Sequence, residues 1–215
     1  MYINFVKRFI DIIIGLLAFP FVLILIIIMG PIIYFNDRGP IFYNAERLGF
    51  NGKPFKMFKF RSMFVNAPDI RNEDGSTYNG DDDPRVTKVG RFMRKTSIDE
   101  IPQFLNVLLG DMSLIGPRPD PLDDMNIYTE HQKKKLIVRP GITGYNQAYY
   151  RNSVEQNEKF EHDVYYAENI SFLLDLKIFF KTIATVLSHD SVYNDASNLS
   201  EENKVKVQSM RNNND

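Results

Sequence analysis

Apolar residues are distributed unevenly along this chain. From Ile10 to Tyr34 it reads IDIIIGLLAFPFVLILIIIMGPIIY, twenty-five residues with one charge, Asp11, near the start. About 20 apolar residues suffice to cross a bilayer. A cleaved leader has a shorter apolar core and a small-residue cleavage site, which Phe35-Asn36-Asp37-Arg38 does not supply. The run is therefore read as a permanent membrane segment. Pro20 removes one hydrogen bond and crowds the preceding turn, so it kinks the helix there. A bent spanning helix and a re-entrant hairpin both fit such a kink. Basic residues mark the cytoplasmic side of a segment. They occur on both flanks: Lys7 and Arg8 before the run, Arg38, Arg47, Lys53 and Lys56 after it. One segment does not decide between the two geometries.

Beyond the run the pattern shortens. Pro40 to Phe64 is rich in aromatics and interrupted by Gly49 and Asn51-Gly52, which predicts two short strands joined by an Asn-Gly turn. In Phe58-Lys59-Phe60-Arg61 a period of two puts Lys59 and Arg61 on one face and the phenylalanines on the other. Asn66 to Pro84, rich in Asp, Asn and Gly, predicts a mobile surface loop. Its Asp81-Asp82-Asp83 triplet lacks the positions that complete a calcium loop and is read as solvated surface. Val89 to Leu109 predicts a helix in two pieces. Ser97 and Glu100 fit a capping box, and Pro102 argues for a later helix start. Either way Asp99 and Glu100 fall near a helix N-terminus, where the carboxylate form is favoured. Arg139-Pro140-Gly141 has the order of a type II turn. Ser171 to Leu187 repeats apolar residues at helical spacing. The polar stretch after His189 predicts a weakly ordered tail.

Composition narrows the chemistry. The chain has 215 residues, 26 Lys and Arg against 27 Asp and Glu, and no Cys. The balanced charge disfavours a nucleic-acid binder, and the missing Cys excludes disulfides, thiolate metal sites and thiol catalysis. There is no zincin, Walker A, dinucleotide-fold or serine-hydrolase motif. What remains is the adjacent Asp99-Glu100 pair and cations set in apolar sequence: Lys59, Arg61, Arg91, Arg94, Arg118, Arg139 and Arg151. A carboxylate can act as nucleophile or carry Mg²⁺, and cations can clamp a diphosphate. On composition alone the pair reads as helix capping, the usual role of Asp-Glu in a first helical turn. Arg118, between Pro117 and Pro119, is prepositioned by their restricted backbone.

The run DPRVTKVGRFMRKTSIDEIPQFLNVLLGDMSLIGPRP, from Asp83 to Pro119, closely resembles the core of the bacterial sugar transferase family, the monotopic phosphoglycosyl transferases. The resemblance extends through KMFKFRSM, VRPGITGYNQ and FEHDVYYAENISFLLDLKIFF, about residues 5 to 188. It implies transfer of a sugar 1-phosphate from a UDP-sugar to polyprenyl (undecaprenyl) phosphate, with Mg²⁺, at the first membrane step of surface glycan biosynthesis. The Asp-Glu dyad of the family matches Asp99 and Glu100, with Asp99 as nucleophile and metal ligand. Arg94, Arg118, Lys59 and Arg61 match its basic positions, and Gln147 and Arg151 join them as substrate-binding residues. It also implies a re-entrant N-terminal helix broken at a Ser-Pro pair, here Phe19-Pro20, with both ends on the cytoplasmic face of the inner membrane. Where the family often has Trp-x-Gln, this chain has Tyr145-Asn146-Gln147.

The expected fold is α+β: residues 1–36 a re-entrant membrane hairpin, 37–189 a cytoplasmic catalytic domain with few short strands and amphipathic interface helices, and 190–215 a polar tail. By comparison with longer family members the chain reads as a minimal one. The expected partners are a UDP-sugar, polyprenyl phosphate and a lipid bilayer, with a homodimer left open and no nucleic acid. A catalytically silent membrane-anchored assembly factor of the same pathway is the alternative. A single-pass transferase with a trans-facing domain is a third reading. The sequence does not name the sugar.

Overall fold

The computed structural model describes residues 2–151, 153–187 and 199–214. In chain order it contains α1 (Lys7–Asp37), β1 (Ala45–Leu48), β2 (Pro54–Met57), α2 (Lys88–Thr96), α3 (Gln103–Leu109), β3 (Ser113–Ile115), β4 (Gly141–Thr143), α4 (Tyr145–Tyr149), α5 (Gln156–Asn169), α6 (Phe172–Leu187) and α7 (Glu201–Asn214). Among the described residues β1 pairs with β2 antiparallel, and β3 with β4 parallel. This is an α+β chain with one apolar N-terminal helix and short mixed elements.

The apolar run forms α1, and both Pro20 and Pro31 lie inside it. It is the one described helix long and apolar enough to cross a membrane. Its buried residues Lys7, Asp11, Gly15, Val22, Met29 and Ile33 recur at helical spacing, so a single stripe faces inward. Exposed Leu16, Leu17, Phe21, Ile24, Ile27 and Ile28 cover the rest. The two ends of that stripe meet the same folded body. At the first end Lys7 Nζ donates to Asp175 Oδ2 at 2.7 Å, and Asp11 Oδ1 accepts from the Leu114 amide at 2.9 Å. A Cβ on Gly15 would lie 2.6 Å from Leu108. At the other end Met29 and Ile33 pack with Phe60 and Met93, and Asp37 pairs with Arg61. Arg38, at φ 56°, ends the helix by donating its amide to the Tyr34 carbonyl.

The Asn-Gly hairpin forms as the sequence predicts, with Asn51 and Gly52 at φ 55° and 72°. Other expectations are corrected. Residues 66–84 are not an unstructured surface loop: Ile70 and Tyr78 are buried, and the Tyr78 amide donates to the Ile70 carbonyl at 3.0 Å. Asp83 is fully buried against Arg85, at 2.7 Å. The weakly ordered tail was expected over 190–215. Its segment 190–198 and Asp215 lie outside the described residues, but 201–214 form α7, and Leu199 and Val207 are buried against Ile70 and Tyr78. Two apolar contacts in a polar segment leave no readable period, which is why composition misjudged it. Ser97 does not cap a helix through its side chain. It sits at φ 56°, ends α2 by donating its amide to the Arg94 carbonyl, and so turns the chain into the 3-10 turn Ile98–Glu100. Gly141 has no positive φ and makes no type II turn. It opens β4, where a Cβ would lie 2.1 Å from the Gly116 amide nitrogen, so glycine serves close backbone approach there.

Candidate active site

The site is assembled by one buried side chain acting as a strand partner. Asn106, on α3 and fully buried, accepts from the Phe58 amide at 2.8 Å and donates to the Lys56 carbonyl at 2.8 Å. The Phe60 amide donates to the Asp99 carbonyl at 2.9 Å. Residues 56–60 are thereby laid along α3 and the turn before it. Lys59 then meets both acids: its Nζ is 3.0 Å from Asp99 Oδ2 and 2.9 Å from Glu100 Oε1. The Asp99 side chain is 3% exposed, that of Glu100 34%. One carboxylate is thus held in the wall and the other at the mouth.

Two arginines complete the field. Arg94 lies in the last turn of α2, which is pressed on the backbone of Ser62, where a Cβ on Gly90 would strike the carbonyl at 1.9 Å. Arg94 Nε donates to Ser62 Oγ at 3.0 Å and Nη1 to Asn79 Oδ1 at 2.9 Å. Arg118 is exposed at the end of the loop that follows β3. Burial pushes the Glu100 carboxyl up, but the charges of Lys59, Arg118 and Arg94 outweigh burial and hold it below its usual value. Burial likewise pushes Lys59 down, and the two carboxylates reverse that, so its ammonium is secured.

The structure brings Asp99, Glu100, Lys59, Arg94 and Arg118 together. Arg61, predicted on the same face as Lys59, serves a different purpose. Its guanidinium grips both carboxylate oxygens of Asp37, at 2.5 and 2.6 Å, and donates to the Pro40 and Met63 carbonyls. Period-two reasoning fails here because β2 ends at Met57 and residues 58–61 follow Asn106 instead. Gln147 lies on α4 with Oε1 buried and unpartnered, next to Gly144. Arg151 Nη2 donates to the Thr185 carbonyl at 2.7 Å, tying the turn after α4 to α6.

Two features escaped the sequence. Arg47 on β1 feels the charges of Arg118, Asp120 and Asp124, and its Nε is buried without a partner. Only its place beside an apolar strand could have marked it. Behind the Arg118 loop, Lys135 is sealed between Asp120 and Asp163, at 2.5 Å from each. Tyr128 Oη donates to Asp120 at 2.6 Å.

Among the described residues no three His, Asp or Glu side chains converge to hold a metal. A hexacoordinate Mg²⁺ needs only one or two carboxylates when substrate phosphates and water fill the remaining positions. Asp99, with Glu100 beside it, fits that donor set.

An acidic pair that shares one lysine and is rimmed by arginines has the charge pattern to receive an anionic substrate. The sequence pattern of the bacterial sugar transferases matches residues 2–189, and the chain belongs to that family. It is 41% identical over 186 residues to an uncharacterized sugar transferase of Bacillus subtilis, covering 86% of this chain and 89% of the relative. It is 41% identical over 204 residues to an uncharacterized sugar transferase of Haemophilus influenzae, covering 87% of this chain and 42% of that protein. It is 40% identical over 190 residues to the UDP-N-acetylgalactosamine-undecaprenyl-phosphate N-acetylgalactosaminephosphotransferase of Aeromonas hydrophila, covering 86% of this chain and 44% of the relative. The chain thus spans under half the length of two of these proteins and most of the third.

Proposed function

We propose that the protein transfers a sugar 1-phosphate from a UDP-sugar to polyprenyl phosphate at a bacterial cytoplasmic membrane, as the first membrane step of a surface glycan. The observation that carries this reading is the Asp99–Lys59–Glu100 arrangement within a family whose named relatives include an undecaprenyl-phosphate sugar phosphotransferase. A carboxylate oxygen of Asp99 attacks the phosphorus that bears the sugar. The bond from that phosphorus to the bridging oxygen breaks, and its electron pair leaves with UMP. A phosphate oxygen of the polyprenyl acceptor then attacks the same phosphorus, breaks the aspartyl–phosphorus bond and restores the carboxylate. Two steps let one small site treat a soluble donor and a lipid acceptor in turn. Lys59 holds Asp99 oriented and offsets charge as the donor approaches, and Arg94 and Arg118 receive the diphosphate. When bound, Mg²⁺ would neutralise diphosphate charge beside Asp99.

Mass spectrometry of enzyme incubated with donor and Mg²⁺, without acceptor, tests this. A phosphosugar adduct on the peptide holding Asp99, with UMP released, is expected. Ternary-complex kinetics with no adduct would make Asp99 a general base or metal ligand instead. Screening UDP-sugars for UMP release identifies the sugar.

The same reading includes a re-entrant α1. A helix of 31 residues is about 46 Å long, against a hydrocarbon core of about 30 Å. Contacts of Lys7, Asp11 and Gly15 at one end, and of Met29, Ile33 and Asp37 at the other, with a single folded body favour both ends lying on one side. Cysteines placed singly at Tyr2 and Asn36 should both resist an impermeant thiol reagent in intact cells and react after lysis. Labelling of the Tyr2 site alone in intact cells would overturn the hairpin.

A further inference from the structure

Helix α7 lies beyond the residues that match the family, yet it packs on the segment that carries a partner of Arg94. Its Val207 and the preceding Leu199 are 3% and 1% exposed, packed on Ile70 and Tyr78. Three polar ties run between the same segments. Asn203 Nδ2 donates to the Arg71 carbonyl at 2.8 Å, Arg211 pairs with Asp82 at 2.6 Å, and Leu199 bridges to Asn72. Residues 70–82 are therefore gripped at five positions, Ile70, Arg71, Asn72, Tyr78 and Asp82. Within that grip, directly after buried Tyr78, stands Asn79, whose Oδ1 accepts from Arg94 Nη1 at 2.9 Å. Arg94 in turn acts on the charge of Glu100.

We propose that α7 is a positioning element for the reaction: by clamping residues 70–82 it holds Asn79 against Arg94, and so fixes the guanidinium beside the acidic pair. Asn79 is the positioning residue, acting through Arg94, and Val207 is the anchor that keeps it in place. An arginine head carries considerable rotamer entropy, and Ser62 engages its Nε. Asn79 secures the far edge of the fork, which makes the geometry of the cation depend on a helix outside the family's shared core. The inference rests on the phosphoryl-transfer reading, because that reading makes the position of Arg94 matter.

The test uses the full chain and a double-mutant cycle of Val207→Asp and Asn79→Ala, with Val207→Ile as the conservative control. Hydrogen exchange reports the clamp independently of activity: Val207→Asp should raise exchange across 70–82 and at α2, and Val207→Ile should not. UMP release from the UDP-sugar that the wild type turns over reports positioning. Each single variant should lower kcat/KM about tenfold, and the double variant should lose little more than the worse single, because both cut one chain of contacts. The amplitude of the first UMP burst, which counts active molecules, should stay near wild type. Where Val207→Asp fails to fold, Arg211→Ala takes its place in the same cycle. Unchanged exchange in 70–82, additive losses, or a loss confined to burst amplitude would each overturn the proposal. A wild-type enzyme that releases UMP from no UDP-sugar would defeat the transferase reading, while hydrogen exchange would still decide whether α7 holds the segment.

Discussion

The molecule contains two acid–lysine clusters of nearly the same composition. In one, Lys59 meets Asp99 and Glu100; in the other, Lys135 meets Asp120 and Asp163. Their surroundings set them apart. The Lys59 side chain is 20% exposed and that of Glu100 34%, whereas those of Lys135 and Asp163 are 2% and 3%. Lys135 also lies over the rings of Tyr128 and Phe160. A sealed lysine between two carboxylates can only hold chains together. An acidic pair with one open side and two further arginines has charge to offer a substrate. Residue type does not distinguish the two clusters, but the exposure of Lys59 and Glu100 does.

The comparison is broken most directly at Asp99. Asp99→Asn keeps the shape and removes the charged oxygen, so UMP release should fall at least about a thousandfold, ~4 kcal/mol of transition-state stabilisation, with little change in melting temperature. Lys135→Ala should do the reverse. It leaves Asp120 and Asp163 buried without their cation, at a cost of about 3 kcal/mol in unfolding free energy. Denaturant unfolding of the two variants checks the contrast, and a stable Lys135→Ala protein would place that cluster among the dispensable ones.

How much of this was readable without coordinates follows from the same contrast. The apolar run, the Asn-Gly hairpin and the Asp99-Glu100 pair were legible because each is a local pattern: an uninterrupted stretch, a turn dipeptide, a motif within one continuous run. Arg61 was misplaced because its role depends on Asp37, twenty-four residues earlier, which no period connects to it. The Lys135 cluster joins residues from three separate segments and carries no spacing signal at all. The helix after residue 200 was missed because burial there comes from two isolated apolar residues meeting a loop that itself looked polar.

Arg118 and Arg61 sharpen the distinction within one residue type. Arg118 is exposed between two prolines, whereas Arg61 spends its guanidinium on Asp37 and two carbonyls. Arg118→Lys retains the charge but loses the planar fork that can hold two phosphate oxygens, so activity should fall at least about tenfold, ~1.4 kcal/mol, at unchanged stability. Arg61→Lys should instead lower thermal stability through the α1 anchor. Wild-type turnover of Arg118→Lys would make Arg118 a structural arginine of its loop.

The smallest effect concerns the edge of the sealed cluster. Burial pushes the Asp124 carboxyl up from 3.8 to about 6, and repulsion from Asp120 adds to it, more than Arg71 at 3.7 Å takes away. Between those two values the folded chain binds a proton at this position that the unfolded chain has already released. Stability contributed by the protonated form is therefore full below about pH 4 and is lost as pH rises through 6. Asp124→Asn mimics the protonated group at every pH. The variant should match the wild type near pH 4 and exceed it at pH 7.5, read as a growing difference in melting temperature between the two proteins. A difference that stays constant from pH 4 to 7.5 would show that Asp124 remains ionised in its buried setting, and that Arg71 offsets the loss of water there.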